Sequence, residues 1–522
     1  MNQTPLSTSR IAFAAALAAT FLPALPTARA EVRLPHIISS GMVVQRDAPI
    51  PVWGWADPGE AVQCELGASK ASATADADGH WLVKLPALPA GGPLQLTVQG
   101  RNKLELTGVY VGEVWLCSGQ SNMEMGIGMA KDGKAEIAAA NHPDIHLFLA
   151  PKTKSGLPLP DIDAKWKVCS PATVAEGGWN GFSAAAYYFG RELQEKLNVP
   201  IGLIESSWGG TKIEPWTPPE GFAAVPSLAS IGEEVKRANE AYDKAYSGVL
   251  DQLEASIAKA RRAVAEHKPY SPIPQLALQH QLQSEARPTG LYNGMIHPLA
   301  PYGIRGAIWY QGESNNGDGM RYFEKMKGLL AGWRAVWGEG DFPFYFVQIA
   351  PYDYGADAAR EPGIWNAQLA ALSIPNTGMV VTTDITTLHD IHPPDKQDVG
   401  HRLALWALAK TYGKTDLVYS GPLYKSMAVD GDKVVVTFGS MGAGLITRDG
   451  KEVTNFELAE ADGKFAPAQA RIDGDHVIVT AEGVTAPAQV RFAWDQLAQP
   501  NLMNKEGLPA SPFSSAELPK AP

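Results

Sequence analysis

Hydrophobic and polar residues alternate in short runs over residues 31–108, and they do so again after about residue 416. Runs such as AVQCEL at 61–66 and HVIVTA at 476–481 have the two-residue period of half-buried strands, with Gly and Asp turns between the runs. Short, frequent strands of this kind are typical of a small sandwich. We therefore predict an N-terminal β domain over residues 31–108 and a β-rich C-terminal domain over residues 416–522.

Between these segments, over residues 109–415, the apolar runs are continuous and end in small polar turns. Examples are VYVGEVWLC before SGQSN, IGLIE before SSWGG, and AIWY before QGESN. Such runs, alternating with helical spacing, are typical of strands buried on both faces in a doubly wound α/β sheet. Functional loops in these sheets follow the carboxyl ends of the strands. The polar turns are therefore where we expect the chemistry.

A different pattern covers the region around residues 220–285. Apolar residues recur there at three- and four-residue steps from Leu228 to Val264, and Glu, Lys and Arg fill the gaps. This spacing predicts an amphipathic helical insertion, either one helix or a hairpin, whose main role is packing. A lid or a partner surface is the alternative role.

Residues 1–30 have the organisation of a secretory signal peptide. Arg10 precedes the apolar run IAFAAALAATFLPAL, and Ala-Arg-Ala at 28–30 fits the small-residue rule for cleavage at its end. An uncleaved anchor helix is the alternative, but Pro23 and Pro26 interrupt a run that is already short for a membrane span. We therefore expect an exported protein, periplasmic or secreted, with no membrane span in its mature form.

Charge and cysteine content exclude several classes of function. The 522 residues carry a formal net charge of −11, and such an acidic protein is not expected to bind nucleic acid or an anionic membrane electrostatically. Three cysteines, Cys64, Cys117 and Cys169, allow at most one disulfide bond, and no CxxC pair indicates a structural zinc site. The oligomeric state does not follow from the sequence.

Four polar segments at predicted strand ends carry the candidate chemistry. Ser121 stands where a strand turns into a helix, so its hydroxyl can attack a substrate while its N–H faces an oxyanion. Gly209 and Gly210 allow close approach of the backbone to a substrate. Gln311 can donate through its amide, and His392 precedes a helix-like segment as a candidate base. Each alone has a plainer role as a cap, turn or loop contact, but in this order the set supplies acyl-transfer chemistry.

Two other classes of function stay open from the residues alone. His389, Asp390 and His392, with Asp398 and His401 nearby, would be the ligands of a metal-dependent hydrolase, although their spacing is not HExxH. A carbohydrate-binding protein with an idle central site is the other alternative. Sensitivity to a chelator would reveal the first class, and absence of acyl-enzyme labelling would support the second.

With these segments in order, the chain resembles the sialate O-acetylesterase family of the SGNH, or GDSL-like, hydrolases. The resemblance covers nearly the whole chain after residue 30. It rests on GEVWLCSGQSNME at 112–124, SSWGGTKIEPW at 206–216, LYNGMIHPL at 291–299, GAIWYQGESN at 306–315, DIHPPDKQDVGHRLA at 390–404, SGMVVQRDAPIPVWGWADPGE at 40–60 and NKEGLPASPF at 504–513.

The resemblance implies a fold and an activity. The fold is α/β: a flavodoxin-like three-layer SGNH hydrolase core with a parallel sheet, flanked at both ends by small β-sandwich-like segments. The activity is that of a serine esterase, which removes O-acetyl groups from sialic acid or related acetylated sugars through an acetyl-enzyme. The partner is therefore an O-acetylated carbohydrate, and neither a metal nor an organic cofactor is required.

The resemblance also assigns roles to residues. Ser121 matches the nucleophile and His392 the base, while Gly209 or Gly210 matches the oxyanion glycine of the second segment. Gln311 stands where the wider superfamily usually has Asn, which makes it the candidate amide donor.

The triad acid and the substrate contacts stay open. The wider superfamily often has Asp three residues before the histidine, whereas here Asp390 stands two before His392, and Asp384 is the rival. An acetylxylan or other polysaccharide deacetylase of the same chemistry is the alternative, because the loops that choose the alcohol cannot be placed. The candidate substrate contacts are Gln120, Asn122, Trp208, Asn293 and Glu313.

Overall fold

The computed structural model describes residues 31–270, 272–273, 278–358 and 360–516. The predicted signal peptide therefore lies outside the described residues. The N-terminal part contains β1 (Val43–Gln45), β2 (Ile50–Trp55), β3 (Ala61–Leu66), β4 (Ser69–Thr74), β5 (His80–Leu85), β6 (Gly91–Gln99) and β7 (Lys103–Gly119).

The central part alternates strands with helices. Its further strands are β8 (His142–Leu149), β9 (Trp166–Cys169), β10 (Ile201–Ser207), β11 (Gly306–Tyr310), β12 (Phe344–Val347) and β13 (Thr377–Val380). Its helices are α1 (Ser121–Glu124), α2 (Gly133–Ala139), α3 (Pro171–Val174), α4 (Ala184–Leu197), α5 (Pro219–Ala224), α6 (Ala229–Ala265), α7 (Arg321–Trp337), α8 (Arg360–Ala370) and α9 (Lys396–Trp406).

The C-terminal part returns to strands. They are β14 (Leu423–Asp430), β15 (Lys433–Gly439), β16 (Leu445–Thr447), β17 (Val453–Ala459), β18 (Phe465–Asp473), β19 (His476–Thr480), β20 (Gln489–Phe492), β21 (Leu502–Asn504) and β22 (Phe513–Ser514). Seven of them form one sheet in the order β14-β15-β19-β18-β17-β20-β22. This sheet meets the core where the Ser514 N–H donates to Asn366 Oδ1 on α8 at 3.2 Å.

The central sheet has the predicted parallel core. Its strand order is β13-β12-β11-β7-β10-β8-β9, and only the β8–β9 pair is antiparallel. The strands β10-β7-β11-β12-β13 follow the flavodoxin-like order 2-1-3-4-5, and β8 and β9 extend the edge beyond β10. The predicted α/β class with a β-rich C-terminal part is confirmed.

Strand β7 joins the N-terminal strands to this sheet. It is 17 residues long. Its first part pairs with β6 and β1. Its last seven residues pair in parallel with β10 on one side, and its last five pair in parallel with β11 on the other. The strand runs across the boundary predicted between residues 108 and 109. The N-terminal strands and the core are therefore hydrogen-bonded along one continuous strand.

Helices cover both faces of the central sheet and make three layers. Successive residues of β7 point to opposite faces. Trp115 and Cys117 pack with α4 and α9, whereas Val114 and Leu116 lie in the larger cluster that includes α7 and α8. Both faces of the strand are thus buried over Val114–Cys117, which explains the apolar run of these four residues.

The predicted insertion is a single helix and not a hairpin. Helix α6 has 37 residues, and only Val235 and Ala238 of these are fully buried. They pack with Phe222, Leu228 and other side chains in a small separate cluster. Within the described ranges, no helix is both long and apolar enough to cross a membrane. All three cysteines are buried free thiols.

A buried ion pair holds β7 at Glu113, where the strand enters the central sheet. Glu113 is fully buried, and its carboxylate accepts hydrogen bonds from Arg46 Nε at 2.5 Å and Arg305 Nε at 2.8 Å. Arg46 follows β1 and Arg305 precedes β11, so one carboxylate joins three segments.

We expect Glu113→Ala to lower the free energy of unfolding by about 1–3 kcal/mol, because the Arg46 and Arg305 guanidinium groups, 25% and 27% exposed, lose their acceptor. Urea titration measures the change. Glu105→Ala on the same strand is the control, since Glu105 pairs with Lys103 at the surface, and stability should hardly change. Equal losses in the two variants would contradict this account of Glu113.

Candidate active site

The turn after β7 presents Ser121 at the carboxyl edge of the sheet. Gly119 ends the strand with φ at 144°, and a Cβ there would lie 2.2 Å from the Tyr310 carbonyl oxygen on β11. Only glycine fits this close approach of two backbones. Ser121 then begins α1, where the first amide groups of a helix have no partner within the helix.

His392 and Ser121 meet, although 271 residues separate them in the chain. The Nε2 atom of His392 lies 2.8 Å from Ser121 Oγ. Its Nδ1 lies 3.3 Å from Asp390 Oδ1, which also accepts the backbone N–H of His392 at 2.9 Å. The Trp179 ring packs edge-on against the imidazole, with ring centres 4.8 Å apart. The structure thus aligns a hydroxyl, an imidazole and a carboxylate.

The rival acid, Asp384, is engaged elsewhere. Its two carboxylate oxygens accept hydrogen bonds from the Arg402 guanidinium of α9 at 2.8 and 2.6 Å. A bidentate pair of this kind fixes the carboxylate. Of the two candidate acids, only Asp390 lies against His392.

Gln311 does not have the place predicted for it. The side chain is fully buried, and its Nε2 donates to Gln120 Oε1 at 3.1 Å, the Thr211 carbonyl at 3.2 Å and Asn315 Oδ1 at 2.8 Å. These bonds commit the amide to holding together the turns after β7, β10 and β11. The prediction that Gln311 faces an oxyanion is therefore corrected to a role in supporting these turns.

The two glycines after β10 differ. The Gly209 N–H donates to Glu124 Oε2 at 2.7 Å, so its single hydrogen is taken. Gly210, with φ at 74°, lines the cavity over Ser121 and has open space beside its α-carbon. Both glycines line the cavity, and because the Gly209 N–H is engaged, Gly210 is the candidate of the two for an oxyanion donor.

A cavity of about 630 Å³ lies over Ser121 and His392. Two of the predicted substrate contacts, Gln120 and Glu313, line it. The other three do not. Trp208 packs under Lys152, whose Nζ lies 5.6 Å from the ring centre. Buried Asn293 donates to the Ser155 carbonyl at 3.2 Å, and Asn122 is buried beneath the cavity.

Asn122 connects three segments of the site. Its Nδ2 donates to Glu313 Oε1 at 2.5 Å and to the Ile391 carbonyl at 2.9 Å. Its Oδ1 accepts from Lys396 Nζ at 2.6 Å. The residue after Ser121 is thus bonded to the loop after β11, the residue before His392 and the start of α9.

Burial shifts the pKa values of the ionisable groups in and beneath the cavity. Lys396 is fully buried, which lowers its pKa to about 7, and its Nζ lies 5.0 Å from the centre of the Tyr310 ring. Burial likewise raises the pKa of Glu313. The pKa of His392 is lowered by burial and by the charge of Lys396, against the opposing effect of Asp390. His392 is therefore neutral near pH 7, as a base must be.

Asp398 and His401, two residues of the alternative metal site, are engaged in other contacts. His401 Nδ1 lies 2.8 Å from Glu192 Oε2, and Asp398 Oδ2 lies 3.3 Å from Arg402 Nη2. In the part of the chain that the structure describes, one group of three has the spacing of metal ligands. It consists of Asp76, Asp78 and His80, all exposed.

Four residues of the site escaped the sequence analysis: Glu124, Lys152, Trp179 and Lys396. Glu124 and Lys396 stand inside segments that carry the family resemblance, three residues after Ser121 and four after His392. Glu124 faces the site because an offset of three residues from Ser121 returns to the same side of α1, whereas Lys396 is the first residue of α9 and lies outside any helix shared with His392. Lys152 and Trp179 stand in loops, where no periodic pattern predicts direction.

A serine bonded to a histidine at the carboxyl edge of a parallel sheet, beside a glycine turn, is the arrangement of an α/β serine esterase. The family model of a carbohydrate esterase, the sialic acid-specific acetylesterase, matches residues 111–263 and 279–408. The chain belongs to this family. The predicted family and the predicted enzyme class are confirmed: the protein is an esterase that deacetylates sugars.

Individual relatives agree with the family. The chain is 30% identical over 436 residues to a sialate O-acetylesterase of Rattus norvegicus, covering 76% of each chain. It is also 30% identical over 430 residues to that of Homo sapiens, covering 75% of this chain and 73% of the human one. A crystal structure of a carbohydrate acetylesterase from Xanthomonas citri matches with a TM-score of 0.77 at 37% identity, covering 93% of this chain and 99% of that one.

The charge of Lys396 should be visible in the pH dependence of activity. Removing it in Lys396→Met takes away a positive charge that lowers the pKa of His392. We therefore expect the acid limb of the kcat/KM profile to move to higher pH. Lys131→Met is the control, because Lys131 is exposed and pairs with Asp395 at 3.1 Å. A purely structural role of Lys396 would reduce activity without moving the limb.

Proposed function

We propose that the protein removes O-acetyl groups from sialic acid or related acetylated sugars through an acetyl-enzyme on Ser121. One observation carries the assignment of the nucleophile: Ser121 Oγ lies 2.8 Å from His392 Nε2 in the cavity. The sialate O-acetylesterase activity named for the mammalian relatives supports the substrate class.

In the first step, His392 Nε2 accepts the Ser121 proton while Oγ attacks the acetyl carbonyl carbon. The new C–O bond forms as the carbonyl electron pair moves onto oxygen. Asp390 holds the Nδ1–H side of the ring and stabilises the imidazolium that forms. Its single contact at 3.3 Å and its 63% exposed side chain make this a weaker support than a buried acid gives.

The oxyanion lies between the N–H groups of Ser121 and Gly210. Losing one such donor typically costs about 10²–10³ in rate. As the tetrahedral intermediate collapses, His392 gives its proton to the departing sugar oxygen. Water then attacks the acetyl-enzyme with His392 as base, and acetate and free Ser121 result.

We propose further that the protein is exported to the periplasm or secreted. The charged start, the apolar run and the small-residue site within residues 1–30 support this. N-terminal sequencing of the protein recovered outside the cytoplasm tests it, with a new terminus at Glu31 as the expected result.

Acetate release from O-acetylated sialic acid and from acetylated xylan tests the proposal. We expect wild type to release acetate, with sialic acid preferred, and Ser121→Ala to lose at least about 10³-fold in kcat. Ser118→Ala is the control, since the Ser118 hydroxyl donates to the Ser206 carbonyl and not to His392. Preference for xylan would favour the polysaccharide deacetylase.

If neither wild type nor Ser121→Ala released acetate, the carbohydrate-binding alternative would be favoured. Equal release by wild type and Ser121→Ala would show that Ser121 is not the nucleophile.

Two further variants distinguish the candidate acids. Asp390→Asn removes the charge beside His392, and we expect kcat to fall about 10- to 100-fold, less than for a buried triad acid. Asp384→Asn breaks the pair with Arg402, so the melting temperature should fall while kcat of the folded enzyme changes little. The reverse pattern would make Asp384 the acid.

A further inference from the structure

A second cavity, of about 520 Å³, adjoins the catalytic one. The two share the lining residues Glu124, Lys152 and Gly178. Glu205 and Ser207, at the end of β10, line the second cavity but not the catalytic one. A ligand whose acetyl group reaches Ser121 can therefore extend past Glu124 and Lys152 into this space. Its volume is within the range of small-molecule sites.

Glu205 is a buried carboxyl group that the proposed reaction leaves unused. It is 3% exposed, and one of its oxygens accepts a hydrogen bond from the Ser207 hydroxyl. No Lys, Arg or His of the described ranges forms an ion pair with it. A buried carboxyl without a counter-ion is costly when ionised. Ion pairing therefore does not account for the presence of Glu205 in the wall of this cavity.

The environment keeps this group protonated at neutral pH. Burial raises the pKa of Glu205 to about 8, and the Glu124 carboxylate adds to the rise, whereas Lys152 opposes it. Cys117, its register partner on β7, is itself a buried thiol with a raised pKa and brings no charge. Glu205 thus offers a hydroxyl donor as well as acceptor oxygens.

The charges around the cavity balance. Apart from Glu205, the lining has three cations and three carboxylates, namely Lys152, Lys165, Lys167, Glu124, Asp163 and Glu176. Two of the cations are already paired, Lys152 with Glu124 and Lys167 with Glu176. A lining that combines balanced charges with apolar residues such as Leu149 and Phe182 suits the hydroxyl groups and the C–H faces of a sugar.

We propose that this cavity binds the hydroxyl-rich body of the sugar, with Glu205 as the specificity-determining residue that hydrogen-bonds a sugar hydroxyl. This inference rests on the proposed function and names where the alcohol part of the substrate lies. Glu205 touches no reacting atom, so its loss affects recognition of the sugar and leaves the chemistry at Ser121 intact.

Comparison of two substrates tests the inference. One is O-acetylated sialic acid, and the other is 4-nitrophenyl acetate, which has the same acetyl group and no sugar. We expect Glu205→Leu to raise KM for the sugar at least about 10-fold, because a buried sugar hydroxyl loses its partner. The kcat/KM for 4-nitrophenyl acetate should stay within about two-fold of wild type.

The pH dependence supplies a second, independent readout. The donor form of Glu205 is present below its pKa and is lost as the pH rises through about 8. Wild-type KM for the sugar should therefore rise between pH 7 and 9, while KM for 4-nitrophenyl acetate stays level. Glu205→Gln keeps a donor and cannot ionise, so its KM for the sugar should stay near the neutral wild-type value across this range.

Glu60→Leu is the matched control. Glu60 is a buried carboxylate of the N-terminal part that accepts the Arg101 N–H at 2.7 Å, and it lines neither cavity. Its replacement should leave the ratio of the two KM values unchanged. If Glu205→Leu does not fold, the pH profiles of wild type and Glu205→Gln decide.

Two results would overturn the inference while the proposed function stands. One is an equal effect of Glu205→Leu on both substrates, and the other is a sugar KM with the same pH dependence in wild type and Glu205→Gln. Failure of wild type to release acetate from any sugar would instead overturn the proposed function, and this inference with it.

Discussion

The buried amide of Asn122 is the interaction on which the site depends. It stands next to Ser121, and its three hydrogen bonds reach Glu313, the Ile391 carbonyl and Lys396. Through these bonds the turn after β7, the loop after β11 and the loop before α9 take fixed positions relative to one another. The 2.8 Å contact between the Ser121 hydroxyl and His392 follows from this arrangement, because neither residue shares an element with the other. The amide also keeps buried Lys396 hydrogen-bonded, so the charge that lowers the pKa of His392 has a partner beneath the cavity.

The sheet supplies the frame in which that amide works. Parallel strands bring their carboxyl ends to one edge, so the turns after β7, β10 and β11 meet although they are far apart in the chain. Gly119 allows β7 and β11 to approach at this edge, where a side chain would clash with Tyr310. Six residues earlier in β7, buried Glu113 pairs with Arg46 and Arg305 and fixes the same strand against its neighbours. The part of the strand that lies in the central sheet is thus held where it begins, at Glu113, and where it ends, at Gly119.

Patterns along the chain predicted what depends on local sequence. The apolar runs ending in polar turns placed the α/β core, and Ser121 and His392 followed from the order of the turns and the family resemblance. What the sequence could not supply is the direction of side chains in loops. Gln311 and Gly209 stand in the expected segments, yet their N–H groups donate to neighbouring turns and to Glu124. Asp384 and Asp390 are both near the histidine in sequence, and only the position of Arg402 separates them. Such choices depend on contacts between residues 18 positions apart for Asp384 and Arg402, 85 for Gly209 and Glu124, and 191 for Gln311 and Gln120, which no local pattern records.

In the proposed mechanism Ser121 carries the acetyl group during turnover. Mass spectrometry of peptides from enzyme quenched with acid during steady-state hydrolysis of an isotopically labelled acetyl sugar tests it most directly. We expect labelled acetyl on the peptide that contains Ser121, and none on that peptide when His392 is replaced by Ala. Labelled acetyl on a different residue, or turnover with no acetylated peptide even when deacetylation is slowed, would contradict it.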